Sequence, residues 1–186
     1  MSSANDLRKG NAVRYKNDIC QVLDLDRVKP GKGGAYVQAT LRNLRTGKSD
    51  QVRFGSNETV EIVILRRKQL EFSYRAGSEY VFIDPDTFEQ VSLGRDLVEE
   101  ARDYLVEGGE YEVVFDDSGS PMALELPPSV ALTVAEAPEW VKGDSATNVR
   151  KPVTLETGLE VNVPLFIKEG EKIKIDTRTG EYQGRA

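Results

Sequence analysis

Apolar residues in this chain recur mostly at every second position, in short runs broken by glycine, proline and aspartate. That period belongs to half-buried strands, and it leaves little room for helices. Residues 12–16 alternate, residues 19–25 are β-prone and mostly apolar, and residues 35–44 alternate through Tyr36, Val37, Ala39, Leu41 and Leu44. Arg45-Thr46-Gly47-Lys48 reads as a turn, and residues 52–54 and 59–65 complete a small all-β unit.

A second unit starts near Arg66. Strands are predicted over 69–74, 79–83, 88–91, 111–115 and 122–126, with turns at Asp84-Pro85-Asp86 and over 116–120. One helix is predicted over 92–106. Leu97, Ala101 and Leu105 recur at spacing four, Ser92 can cap the start, and Gly108-Gly109 stops it. Pro127-Pro128 marks the next boundary. Beyond it, strands are predicted over 130–134, 154–155, 160–163, 171–175 and 181–182, with Asp176-Thr177-Arg178-Thr179-Gly180 as a turn. Arg178-Thr179-Gly180 echoes Arg45-Thr46-Gly47, an echo too short to prove duplication. The division is therefore 1–65, 66–127 and 128–186, each near the lower size limit for an independent core.

Composition narrows the chemistry. Histidine is absent, so no Ser-His or Cys-His nucleophile and no His-containing zinc site can be built from this chain alone. Only Lys, Tyr or carboxylate chemistry is left, and the expectation is a non-enzyme with no metal. Cys20 is the one cysteine, which excludes an intrachain disulfide and fits a reducing compartment; its apolar surroundings suggest a core position. No apolar run approaches the roughly 20 residues of a membrane helix. Residues 1–6 lack a basic segment followed by an apolar core, so neither membrane nor secretion is expected, and the expected location is cytoplasmic.

Charge is unevenly placed. Residues 1–65 carry eleven Lys/Arg against seven Asp/Glu, residues 66–127 six against fifteen, and residues 128–186 eight against nine. The N-terminal third is the electropositive end of an acidic molecule, so contact with RNA phosphates would be local and oriented.

One loop stands out at that end. Lys29-Pro30-Gly31-Lys32-Gly33-Gly34-Ala35-Tyr36 puts one lysine among glycines between two strand-like arms. Gly31, Gly33 and Gly34 remove bulk and permit φ > 0, and Pro30 fixes one φ. Gly31-Lys32 superficially resembles a phosphate-binding loop but fails the pattern, since no glycine precedes Gly31 by five and Gly33 stands where Ser or Thr is required. A dinucleotide fingerprint fails because Tyr36 occupies the third glycine position. The local pattern fits either a mere tight turn or a narrow finger carrying a cation. The acidic run from Glu99 through Glu112 reads as a solvated face, and Asp84, Asp86, Asp116 and Asp117 as turn residues. Arg66-Arg67-Lys68 fits a solvated linker or a phosphate contact, and Trp140 fits packing better than exposed stacking.

Taken together, these residues resemble the bacterial elongation factor P family. The Lys32 loop is similar to that family's finger, with Tyr where Phe is frequent. Residues 151–170, from Lys151-Pro152-Val153-Thr154-Leu155 to Lys168-Glu169-Gly170, are similar to its signature, and residues 176–182 to its ending. The resemblance spans essentially the whole chain. It implies three small β-barrels, an N-terminal SH3-like (KOW-type) barrel followed by two OB-fold barrels, in an L-shaped, tRNA-like arrangement. It implies a translation elongation factor that binds the 70S ribosome between the P and E sites and relieves stalling at consecutive prolines by positioning the P-site prolyl-tRNA. It implies covalent modification of Lys32, commonly β-lysylation by a lysyl-tRNA-synthetase-like ligase; the chain has Gly34 where an unmodified subgroup tends to have proline. Gly143-Asp144-Ser145 resembles a loop facing the E-site codon of the mRNA. Expected RNA contacts, to rRNA and tRNA, are Arg27 and Lys29 near the finger, Gly143, Asp144 and Ser145, and Arg178 and Tyr182. The expected form is a monomer without a cofactor. Alternatives are an OB-fold binder of single-stranded nucleic acid, disfavoured by the acidic second and third units, and a paralogue with another ribosomal target. A Lys-dependent enzyme is the weakest reading.

Overall fold

A computed structural model describes residues 2–139 and 149–186. The fold is all-β, with three sheets whose strands fall in residues 2–63, 66–125 and 129–185. Packing divides the chain into two compact units. One runs to Lys68 and takes in Val113–Ala123; the other comprises Gln69–Glu112 and Leu124–Ala186.

The first sheet holds β1 (Ser2–Ser3), β2 (Ala12–Tyr15), β3 (Asp18–Val28), β4 (Tyr36–Asn43), β5 (Ser49–Gly55) and β6 (Thr59–Val63) in the order β1-β6-β2-β3-β4-β5. Alternation buries Val37, Ala39 and Leu41 on β4 and turns Arg42 outward. Cys20 lies in this core as expected, and burial pushes its thiol pKa up. The sequence predicts no element before residue 12, yet the N-terminal segment forms a short 3-10 turn (Ala4–Asp6) closed by a capping box. Ser3 Oγ accepts from the Asn5 amide while Asp6 accepts from the Ser3 amide. The Ala4 amide donates to Glu58 O at 2.8 Å, and Ala4 and Leu7 are wholly buried in the same core.

The second sheet contains β7 (Arg66–Ala76), β8 (Glu79–Ile83), β9 (Gln90–Gly94), β10 (Glu110–Phe115) and β11 (Pro121–Glu125), ordered β11-β10-β7-β8-β9. Arg66-Arg67-Lys68, open between linker and phosphate contact, begins β7. The helix expected over 92–106 is largely absent. Ser92 is a strand residue paired with Val81, α1 covers only Arg95–Val98, and a 3-10 turn follows at Arg102–Tyr104. Pairing with β8 buries Leu93 completely, and this tertiary gain overrides the helical spacing. Gly94, not Ser92, stands at the start of α1. Bonds from the Ala101 amide to Val98 O and from the Tyr104 amide to Ala101 O then tighten the chain into 3-10 geometry. Tyr111 closes the segment, its hydroxyl donating to Tyr104 O and accepting from the Val106 amide. Burial pushes that hydroxyl's pKa up, which keeps the donor proton in place. Glu99 faces solvent and pairs with Arg95 and Arg102, as a solvated acidic face should.

The third sheet holds β12 (Ser129–Glu136), β13 (Arg150–Leu155), β14 (Glu160–Pro164), β15 (Lys172–Asp176) and β16 (Tyr182–Arg185), ordered β14-β13-β12-β15-β16. Leu132, Leu155, Ile167, Ile173 and Ile175 form its fully buried core. Trp140 lies outside the described residues.

The Arg-Thr-Gly echo has a structural meaning. Asn43 Oδ1 accepts from the amides of Arg45 and Thr46, and Asp176 Oδ1 from those of Arg178 and Thr179. Asp84 does the same for Asp86 and Thr87. In all three, the fifth residue's amide bonds back to the first residue's carbonyl, at 2.8–2.9 Å. One turn type therefore closes β4–β5, β8–β9 and β15–β16. It needs a short side-chain acceptor at its first position and a left-handed residue at its fifth.

Candidate functional site

The β3–β4 hairpin presents the finger. Its arms stay paired up to Val28 opposite Tyr36, and residues 29–35 then leave the sheet. The base is fixed from two sides. Ala35 O accepts from the Ser56 amide at 3.1 Å, and the Arg53 guanidinium stacks on the Tyr36 ring with 3.6 Å between guanidinium carbon and ring centre. Such a cation–π stack contributes roughly 0.5–1 kcal/mol at an exposed position. No local pattern signals it, because Arg53 reaches Tyr36 diagonally on one sheet face, two register positions along, opposite Gln38.

Lys32 is exposed at the loop's apex. Among the described residues its ammonium has no ion pair and no hydrogen bond. The three glycines are not equivalent. Gly33 alone has a left-handed φ, +105°, which an L side chain adopts only with strain. A Cβ at Gly31 or Gly34 would meet nothing within 4 Å. Bulk inside the protein therefore does not require glycine at 31 or 34; any need for smallness there comes from outside the chain.

This separates three variants. Gly31→Ala and Gly34→Ala should leave thermal stability unchanged, so any loss of activity they cause reports crowding by a visiting molecule. Gly33→Val should additionally distort the tip, at a cost of order 1–2 kcal/mol for a β-branched residue held at positive φ. Melting curves and a translation assay on the three proteins check this. Equal behaviour of Gly33→Val and wild type in both would show that the tip geometry is irrelevant.

The other expected contact residues are dispersed. Lys29 is exposed at the finger's base. Arg27 is already engaged: its Nη2 donates to Asn5 O at 3.0 Å and to Leu7 O at 2.7 Å, tying β3 to the N-terminal segment. Its guanidinium is thus a strut as well as an RNA-contact candidate. Arg178 lies in the other unit, on the β15–β16 turn, with an exposed side chain near Asp176. Asp176 has its carboxyl pKa lowered, first by the Arg178 amide and also by the Thr179 amide. Tyr182 is half-buried on β16 beside that turn, opposite Ile175. Gly143, Asp144 and Ser145 lie outside the described residues.

Comparison with known proteins assigns the whole chain. Residues 3–60 match the elongation factor P (EF-P) KOW-like domain, residues 65–124 the elongation factor P (EF-P) OB domain, and residues 130–185 the elongation factor P C-terminal domain. An elongation factor P of Exiguobacterium sp. is 44% identical over 186 residues, covering 100% of this chain and 98% of that protein. One from Frankia casuarinae is 40% identical over 185 residues, with the same coverage. Among solved structures, a eukaryotic translation initiation factor 5A from Methanococcus jannaschii shares the fold. Its TM-score is 0.53 and its identity 22%, over 67% of this chain and 92% of that one. The chain belongs to the elongation factor P family, the translation elongation factors.

Proposed function

We propose that this translation factor binds the ribosome beside the P-site tRNA and speeds peptide-bond formation at consecutive prolines by placing Lys32 against the tRNA's acceptor end. The observation that carries the reading is the exposed ammonium, without a partner among the described residues, at the apex of a loop anchored on the electropositive third of the chain.

Proline restricts geometry on both sides of peptide transfer, so the reactants spend little time in a reactive arrangement. A factor can raise the rate by holding them there, with no acid or base of its own. Lys32 suits that work. Its charge is not spent on a partner among the described residues, and in the water-poor interior of the ribosome a charge-assisted contact to phosphate or ribose is strong. Lys32 is also the residue that would carry a covalent extension. β-Lysylation would join the added acyl group to Nζ as an amide and place a new amine several ångströms further out. The finger's open surroundings leave room for the group and for the ligase that adds it. The setting is cytoplasmic in this reading. Arg178 and Tyr182, in the other unit, supply further RNA contacts, and Gly143, Asp144 and Ser145 contact the E-site codon.

The reading is tested by binding and by synthesis. Affinity for 70S ribosomes carrying a P-site tRNA should fall as salt rises, with a slope reporting the phosphates contacted. Addition of the factor should speed a Pro-Pro-Pro reporter and leave a proline-free one unchanged. A flat salt response together with equal rates would refute the proposal. Tight binding to naked oligonucleotides would favour a general single-strand binder.

A further inference from the structure

The β8–β9 turn holds a residue out of place. Its two counterparts put glycine at the fifth position, Gly47 at φ +70° and Gly180 at φ +72°. Here the position is Phe88, at φ +59° and 78% exposed. A bulky aromatic in the left-handed region is a backbone outlier, and its ring lies in water. Two unfavourable features coincide at one residue, and neither is repaid by packing among the described residues. An outlier of this kind directs attention to function.

We propose that Phe88 is an anchor for a basic protein surface bearing an apolar pocket, met when the factor is on the ribosome; this rests on the ribosomal reading above. The charge around the ring selects the partner. The turn carries Asp84, Asp86 and Glu89 and no cation, whereas the corresponding turns carry Arg45 with Lys48, and Arg178. The surrounding residues 66–127 hold fifteen acids against six bases. RNA, an anionic lipid surface and a second copy of this acidic segment would all be repelled. A cationic protein face would be attracted, and a single inserted aromatic ring is the usual kind of anchor at such a contact. On a particle built mainly of RNA, an acidic domain can dock closely only where protein covers the phosphates. The turn's hydrogen bonds fix the Phe88 backbone, and with it the direction of the Cα–Cβ bond, before contact, which lowers the ordering cost of binding.

The test uses the full chain and 70S ribosomes carrying a P-site tRNA. Phe88→Gly restores the residue the turn geometry favours, so thermal stability should hold or rise. Ribosome affinity should nevertheless fall about fivefold to tenfold, the size expected for loss of an aromatic anchor. The double variant Asp86→Lys/Glu89→Lys should bind more weakly than wild type. A photo-crosslinking p-benzoylphenylalanine at position 88 should join a ribosomal protein. Unchanged affinity of Phe88→Gly, tighter binding of the charge-reversed variant, or crosslinks to RNA alone would each overturn the proposal. Wild-type protein that does not bind ribosomes at all would overturn the ribosomal reading and this inference together. Wild-type binding with indifferent variants removes this inference only.

Discussion

Lys32→Ala should lose most of its stimulation of Pro-Pro-Pro synthesis, by about ten- to a hundredfold, while keeping wild-type stability. The magnitude follows from losing one hydrogen bond to a charged group, roughly 1.5–3 kcal/mol, at about 1.4 kcal/mol per decade of rate. Stability should be untouched because the side chain is exposed and has no partner among the described residues. Lys32→Arg sharpens the result. It keeps the charge but cannot accept an acyl group through a lysine amine. If the bare cation does the work, the arginine protein should recover much of the rate. If an extension is required, it should stay near the alanine level. Quench-flow rates on proline-rich and proline-free templates separate these, and the intact mass of natively produced protein shows whether position 32 carries an adduct. Identical rates for Lys32→Ala and wild type would end the finger hypothesis.

Most of this architecture was legible in the chain because strands advertise themselves locally. Val37, Ala39 and Leu41 alternate with Gln38, Thr40 and Arg42, and β4 follows that pattern with its buried face in register. The finger was legible for the same reason, since glycine and proline interrupt two such runs. What failed was decided at long range. Ser92 had a helix-capping appearance, yet β8 claims residues 90–94 as a paired strand. Nor could local pattern show that Arg27, expected as an RNA contact, is also a strut, because the two carbonyls that take its guanidinium lie twenty and twenty-two residues earlier in the chain. The Tyr36–Arg53 stack also required the β4–β5 register, which no local pattern supplies. The Arg-Thr-Gly echo was visible but incomplete as a motif. The acceptors Asn43, Asp84 and Asp176 define the turn, and that definition brings in the central copy, where Phe88 replaces glycine.

The N-terminal segment offers the clearest separation of fold from function. Leu7→Ala should destabilise the first sheet by about 2–5 kcal/mol, the range for a buried leucine truncated in a core that relaxes incompletely. Leu7 has no exposed surface, and it plugs the core shared by Val13, Val22, Val37 and Leu41. Its backbone is held by Arg27, and the preceding turn by Ser3 Oγ donating to Ser56 O at 2.7 Å, so the segment cannot slide to fill the gap. A sheet domain of about 65 residues has little stability to spare, and a loss of this size should unfold it in an appreciable fraction of molecules near 37 °C. Hydrogen exchange would then accelerate across residues 12–63 and stay slow in the third sheet. Activity should fall with the folded fraction and return on cooling. The Lys32→Ala defect, by contrast, should persist at every temperature because the finger is folded but empty-handed. A Leu7→Ala protein with unaltered exchange would mean that the segment merely rests on the sheet.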